Sequence, residues 1–304
     1  MKKFAHIIGF CVLLGLCIGC AFGFIRYRAV PRYEGRSIND WLGDFDYVGS
    51  SIAVGHAAKA VGAMGTNAVP FLLENMCCKD SGLRVFLLSL LQNQNFFPVR
   101  FRKASIRHSI AADAFWVLGT QAECAIPDLA VLATNKDSAS GACMALAGIS
   151  GKALPVLLNT LTNQDAFVRT CAARALGKGF ESTNFTLKST MPLGTDADAC
   201  KAVWALISAL GDLDPGVRQS AVSALGDIAR VPERAVPALI QRLGETNALC
   251  RRRAVAALRA YGSSARPALP AVTEALEDAD ATVRRLAASA IQAIKSEDKN
   301  DKTN

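Results

Sequence analysis

The chain has 304 residues, a formal net charge of +8 at pH 7, and 51% hydrophobic but only 7% aromatic residues. Alanine and leucine dominate the apolar set, which favours closely packed helices, because Ala costs least in a helix and Leu fills the seams between helices. The positive excess is local: residues 51–110 carry seven Lys/Arg against two Asp/Glu, whereas residues 181–304 carry sixteen against fifteen. A nucleic-acid partner calls for a basic stripe along the whole binding face, so this distribution argues against one.

The first predicted element is an N-terminal membrane anchor over residues 1–25. Residues 4–25 contain no Asp, Glu, Lys or Arg and are flanked by Lys2-Lys3 and by Arg26 and Arg28. At about 1.5 Å per residue such a helix spans about 33 Å, the hydrocarbon core of a bilayer. Two alternatives stay open: cleavage as a signal peptide, and lipidation at Cys20, whose preceding residues resemble a lipobox. Lys2 and Lys3 favour export of the bulk of the chain, and Arg26, Arg28, Arg32 and Arg36 argue the other way by the same positive-inside rule. Residues 26–50 are expected to be a linker and the entry cap of a helical array.

From residue 51 the sequence repeats itself. The clearest copies are residues 235–243, AVPALIQRL, and 268–276, ALPAVTEAL, which lie 33 residues apart. Val217-Arg218, Cys250-Arg251 and Val283-Arg284 recur at the same spacing, followed by Ala221, Ala254 and Ala287 and then by Leu225, Leu258 and Ile291. Looser copies stand at 68–76, 125–132, 153–161 and 202–210, the last with Trp204 where the others have proline. Each unit reads as an Ala-rich helix, a Gly-containing turn and a second helix opened by proline, which the first helical turn tolerates well. A fixed period of this kind specifies nearest-neighbour stacking.

These features resemble the HEAT repeat, in the short form known as the bilin-lyase HEAT-like repeat, over residues 51–295. The Asp-x-x-x-Arg signature stands at Asp165/Arg169, Asp214/Arg218 and Asp280/Arg284, with Asn247/Arg251 as a variant. Residues 33–42 are similar to the start of the array in membrane-anchored bacterial HEAT proteins. The implied fold is an all-α, right-handed α-α superhelix of the HEAT/armadillo type, preceded by one transmembrane helix. An Asp at the start of a first helix can cap its free N–H groups, while the Arg one turn later reaches the loop of the adjacent unit. Asp165, Arg169, Asp214, Arg218, Arg251, Asp280 and Arg284 are therefore expected to form a structural ladder and no ligand site.

Two insertions break the period. Over residues 77–107 an extra helix is expected at 82–91, and no acid occurs between Asp80 and Asp113. Arg84, Arg100, Arg102, Lys103 and Arg107 are thus unopposed along the chain and interleaved with Phe96, Phe97 and Phe101. The candidate partner-binding set is Phe96, Phe97, Arg100, Phe101, Arg102, Lys103 and Arg107, suited to an acidic protein or to anionic lipid head groups. The second insertion, 179–195, reads as a surface loop, and residues 296–304 as a disordered tail.

Nothing points to catalysis. The three histidines lack a neighbouring metal motif, no Gly-rich phosphate loop or Gly-x-Ser-x-Gly is present, and no cofactor or metal is expected. Seven cysteines come after the N-terminal stretch without a Cys-x-x-Cys pair, and most are expected to be buried small hydrophobes. The resulting expectation is a non-catalytic scaffold or adaptor that binds another protein beside a membrane. A rival binding surface is the face of the second helices, at Glu74, Asp128, Asn159, Gln241, Arg242, Thr273 and Glu274. The repeat type leaves one alternative, a lyase or lyase-chaperone acting on a chromophore-bearing protein.

Overall fold

The computed structural model describes residues 30–46, 51–80, 82, 102–180 and 193–296. It begins with one departure from the all-helical expectation, an antiparallel hairpin of β1 (Arg32–Tyr33) and β2 (Arg36–Ser37). The turn residues Glu34 and Gly35 have φ of 48° and 76°. Positive φ at both central positions is what a two-residue hairpin turn needs to match the twist of its strands. Strands of two residues are too short to show period-two alternation, so only the Glu-Gly pair marks this turn in the sequence.

Ser37 then starts α1 (Ile38–Leu42) with a capping box: its backbone N–H donates to the Asp40 carboxylate at 3.0 Å and its hydroxyl accepts from the Asp40 N–H. Trp41 donates its indole N–H to the Tyr33 carbonyl at 3.1 Å, and the Arg36 guanidinium lies 4.0 Å from its ring centre. With Ile38, Trp41 and Leu42 buried, the hairpin and α1 close the N-terminal end of the core.

The remaining helices alternate as first and second members of a pair. They are α2 (Ser51–Met64) and α3 (Val69–Met76), α4 (Ala104–Leu118) and α5 (Ile126–Ala133), α6 (Ala139–Ile149) and α7 (Leu154–Thr160), and α8 (Ala166–Phe180) and α9 (Asp196–Ala209). Next come α10 (Pro215–Ile228) and α11 (Pro232–Gln241), α12 (Ala248–Ala260) and α13 (Leu269–Glu274), and α14 (Ala281–Lys295). Each first helix packs on the next, from α2 through α14, so the core is one continuous strip rather than a ball.

Small residues set how closely the first helices approach. A Cβ at Gly177 of α8 would lie 2.8 Å from the Ala224 Cα of α10, and one at Gly226 of α10 would lie 2.8 Å from the Ala257 Cα of α12. On α6, Gly148 faces the preceding first helix, where a Cβ would run into the Trp116 indole of α4. Backbone thus meets backbone at Gly177 and Gly226, which no larger residue at these positions would allow.

Proline stands in the first turn of α3, α5, α7 and α13, each entered through a short 3-10 turn. Two units differ. The α9 helix has no proline and starts on a Thr195/Asp198 capping box, and α11 opens at Pro232, leaving Pro237 inside the helix. The turn before α11 is made without glycine, with Ala229 and Val231 in the left-handed region at φ 44° and 54°.

Among the described residues no helix is long and apolar enough to cross a membrane. The predicted anchor at residues 1–25, most of the expected helix at 82–91, and residues 297–304 of the tail lie outside the described residues. The α8 helix runs through Gly179 and Phe180 into the second expected insertion, whose residues 181–192 also lie outside. On its far side Leu193 is fully buried over Gly179.

Candidate functional site

The ladder residues are drawn together by the loops between units. Asp214 accepts from the N–H groups of Gly216 and Val217, Asp280 from those of Thr282 and Val283, and Asp165 from that of Phe167, each capping its own first helix. Arg169 grips Asp212 with two N–H groups at 2.7 and 2.8 Å, and Arg251 holds Asp278 in the same fork at 2.7 and 2.8 Å. The remaining Nη1 of Arg169, Arg218, Arg251 and Arg284 donates to the two loop carbonyls six and five residues back. Each Arg therefore staples its own loop, and where the carboxylate is in reach it staples the next loop as well.

The carboxylates that complete this array are Asp212, Glu245 and Asp278, which the sequence motif does not include. They recur every 33 residues, so the signal was present. Their partners sit on the first helix of the preceding unit, and only the stacking makes the pairs visible. Glu245 pairs more loosely with Arg218, at 3.8 Å, because it also takes Arg242 at 2.9 Å. The guanidinium bonds hold the Asp212 and Asp278 carboxyls below the usual carboxylate range. A second fork, from Arg252, does the same to Asp280.

The second helices leave one face uncovered. Pro70, Pro127, Pro155, Pro237 and Pro270 are exposed at equivalent places, and Glu74, Val131, Asn159, Gln241 and Glu274 are exposed one turn further on. Residues four apart share a helix face, so these form parallel rows across the units. Asp128 and Thr273 are exposed beside them, and Arg242 is half-buried on Glu245. In α9 the proline place is held by Trp204, which is 51% exposed, with the Arg234 guanidinium of α11 4.8 Å from its ring centre. Trp204 stands out in the sequence as a break in the proline pattern, whereas Arg234 becomes its neighbour only through the packing of α11 beside α9.

Three of the basic candidates, Arg102, Lys103 and Arg107, lie among the described residues. Arg102 donates to the Gly43 carbonyl at 3.2 Å and Arg107 to the Asn75 amide oxygen at 2.9 Å, so both tie parts of the array together. Lys103 is exposed at the N-terminus of α4, where Asp80 accepts from the Ala104 N–H with both oxygens at 3.0 Å. Phe96, Phe97, Arg100 and Phe101 lie outside the described residues.

The cysteine expectation needs correction. Cys143, Cys171 and Cys250 are buried, Cys78 and Cys200 are half-buried, and Cys77 and Cys124 are exposed. The exposed pair sits in turns after α3 and before α5, where the repeat has no core position to fill. His56 is exposed, and His108 is buried with Nε2 3.0 Å from the Cys78 carbonyl. Among the described residues no group of three or more His, Cys, Asp or Glu side chains could hold a metal ion.

The stacked helix pairs and their inter-loop Arg forks define an α-solenoid built from short helical repeats. Residues 191–259 and 236–301 match the family model of HEAT repeats. Among solved structures the chain is similar to the complex of CpcE and CpcF of phycocyanin lyase from Nostoc sp. PCC7120, with 23% identity, a TM-score of 0.43, and 55% of this chain and 98% of that one covered. It is also similar to a designed armadillo repeat protein in complex with the peptide (KR)4, with 17% identity, a TM-score of 0.47, and 74% and 99% covered. An engineered protein shares 20% identity at a TM-score of 0.46, with 86% and 100% covered. No curated protein matches the chain.

Proposed function

We propose that the chain is a non-catalytic adaptor: a right-handed HEAT solenoid that docks another protein on the uncovered face of its second helices and is held at a membrane by residues 4–25. The observation that carries the docking surface is Trp204. An indole 51% exposed, at a place where the equivalent residues are proline, presents a large apolar group to water beside an arginine. Tryptophan and arginine are the residue types that most often anchor protein interfaces, and the guanidinium over the ring holds the indole in one orientation before binding. The basic segment ending at Arg107 is the weaker surface, because Arg102 and Arg107 are already engaged within the array. In the favoured arrangement the solenoid lies on the extracytoplasmic side of the membrane.

The test is site-specific photocrosslinking in membranes. A photoreactive residue at position 204 or 241 is expected to trap the same protein partner, and one at Phe167, on a first helix, to trap none. Equal crosslinking from all three positions, or none from the second helices, would overturn the docking surface. Release of the intact chain by high salt, without detergent, would contradict the tether.

A further inference from the structure

Between α8 and α10 the first helices leave a groove of about 660 Å³. Arg174 and Lys178 line it from α8, Gln219, Ser223 and Asp227 from α10, and Arg253 from α12. It opens because α10 presents small residues there, Gly216, Ser220 and Ala224, in place of side chains that would fill the seam. Arg174/Ser223 and Lys178/Asp227 stand at the same 49-residue offset as Arg169/Arg218, so they face each other across that seam. The Lys178 ammonium lies 3.5 Å from the Asp227 carboxylate, and that pair balances its own charge.

Among the described residues the two guanidinium groups of the lining, Arg174 and Arg253, make no ion pair with a carboxylate. Elsewhere in the array Arg169, Arg251 and Arg252 each grip an aspartate with two N–H groups. Arg253 instead donates Nη1 to the Ser223 hydroxyl at 2.7 Å, and its Nε is buried with no acceptor among the described residues. Arg174, exposed at the rim, makes no hydrogen bond or ion pair among the described residues. Arg174 and Arg253 both line the open groove, where their charge is not offset by a fork on an aspartate.

We propose that this groove binds a dianionic phosphate ester, its phosphoryl oxygens taken by Arg174 and Arg253 and its polar body by Ser223 and Gln219. One arginine fork saturates a planar carboxylate. Two guanidinium groups from different helices, Arg174 of α8 and Arg253 of α12, line one groove, and a tetrahedral phosphate can take donors from both. The volume falls within the range of small-ligand sites, and the absence of an aromatic ring from the lining favours a hydroxylated body over a nucleobase. The site is on the first helices, so it is separate from the protein-docking face and stands or falls independently of it.

The test is calorimetric titration of the full chain with O-phosphoserine, with a phosphoserine peptide and with succinate. O-phosphoserine is expected to bind, with an affinity that falls as salt rises, and succinate to bind at least about tenfold more weakly. Arg174→Gln and Arg253→Gln should each weaken the phosphate about tenfold, equivalent to about 1.4 kcal/mol, without changing the circular dichroism spectrum. Binding of the free ester assigns a small-molecule ligand, and binding of the peptide alone assigns a phosphorylated chain; either upholds the phosphate site. Absence of binding by both phosphate probes at about 10 mM, or parental affinity in the R174Q/R253Q double variant, overturns it. Because Arg174 is exposed, its variant keeps the test decisive even if Arg253→Gln misfolds.

Discussion

Asp113 gives the most direct measure of what the packed array costs a charged side chain. It lies in the middle of α4, half-buried, with no ion pair or hydrogen bond among the described residues. Burial alone pushes its carboxyl up from the ordinary 3.8 to about 6. At 1.36 kcal/mol per pH unit, keeping it ionised costs the folded state about 3 kcal/mol, an upper value because water entry relieves part of it. The raised value sets the sign: the cost is complete above the folded pKa of about 6, and disappears as the pH falls toward 3.8, where both states carry the proton. Asp113→Asn removes the titration at nearly constant shape. In urea melts at about pH 7.5 the variant should be more stable than the parent by roughly 2–3 kcal/mol, and the gap should close as the pH approaches about 4. Titrations elsewhere are common to both proteins and cancel. A gap that stays constant with pH would refute the desolvation argument, and a variant less stable at neutral pH would show that the carboxylate has a partner.

Arg251→Ala removes the fork on Asp278 and two loop staples, and should cost about 2–4 kcal/mol in chemical melts. Because Asp278 is held below its usual range, its contribution is present above the ordinary carboxylate pKa and is lost as the pH falls through the folded value; the variant should therefore unfold at a higher pH than the parent in acid titration. Gly177→Ala puts a Cβ 2.8 Å from the Ala224 Cα and should destabilise by about 1–3 kcal/mol, where an ordinary exposed helix position would gain from the same change. Ala229→Gly relieves a left-handed residue at an exposed helix end and should raise stability by about 1 kcal/mol in thermal melts.

The repeat, the helix pairs and the capping aspartates were legible in the chain itself, because each depends on residues within one unit: a proline at a first turn, an Asp four residues before an Arg, and a small-residue face at helical spacing. The 33-residue period even carried the acids of the ladder, Asp212, Glu245 and Asp278, although nothing local says which arginine each one meets. That choice belongs to the stacking, which brings Asp278 to Arg251 and Asp212 to Arg169 across a loop boundary. The same holds for function. Charge counted along the chain pointed to the segment before α4, yet packing engages Arg102 and Arg107 internally and leaves Arg253 without a carboxylate more than a hundred residues away. Local preferences specify helices and caps, since their partners lie within a turn or two. Which polar groups end up paired, and which are left facing a groove, is decided only when neighbouring units come into register.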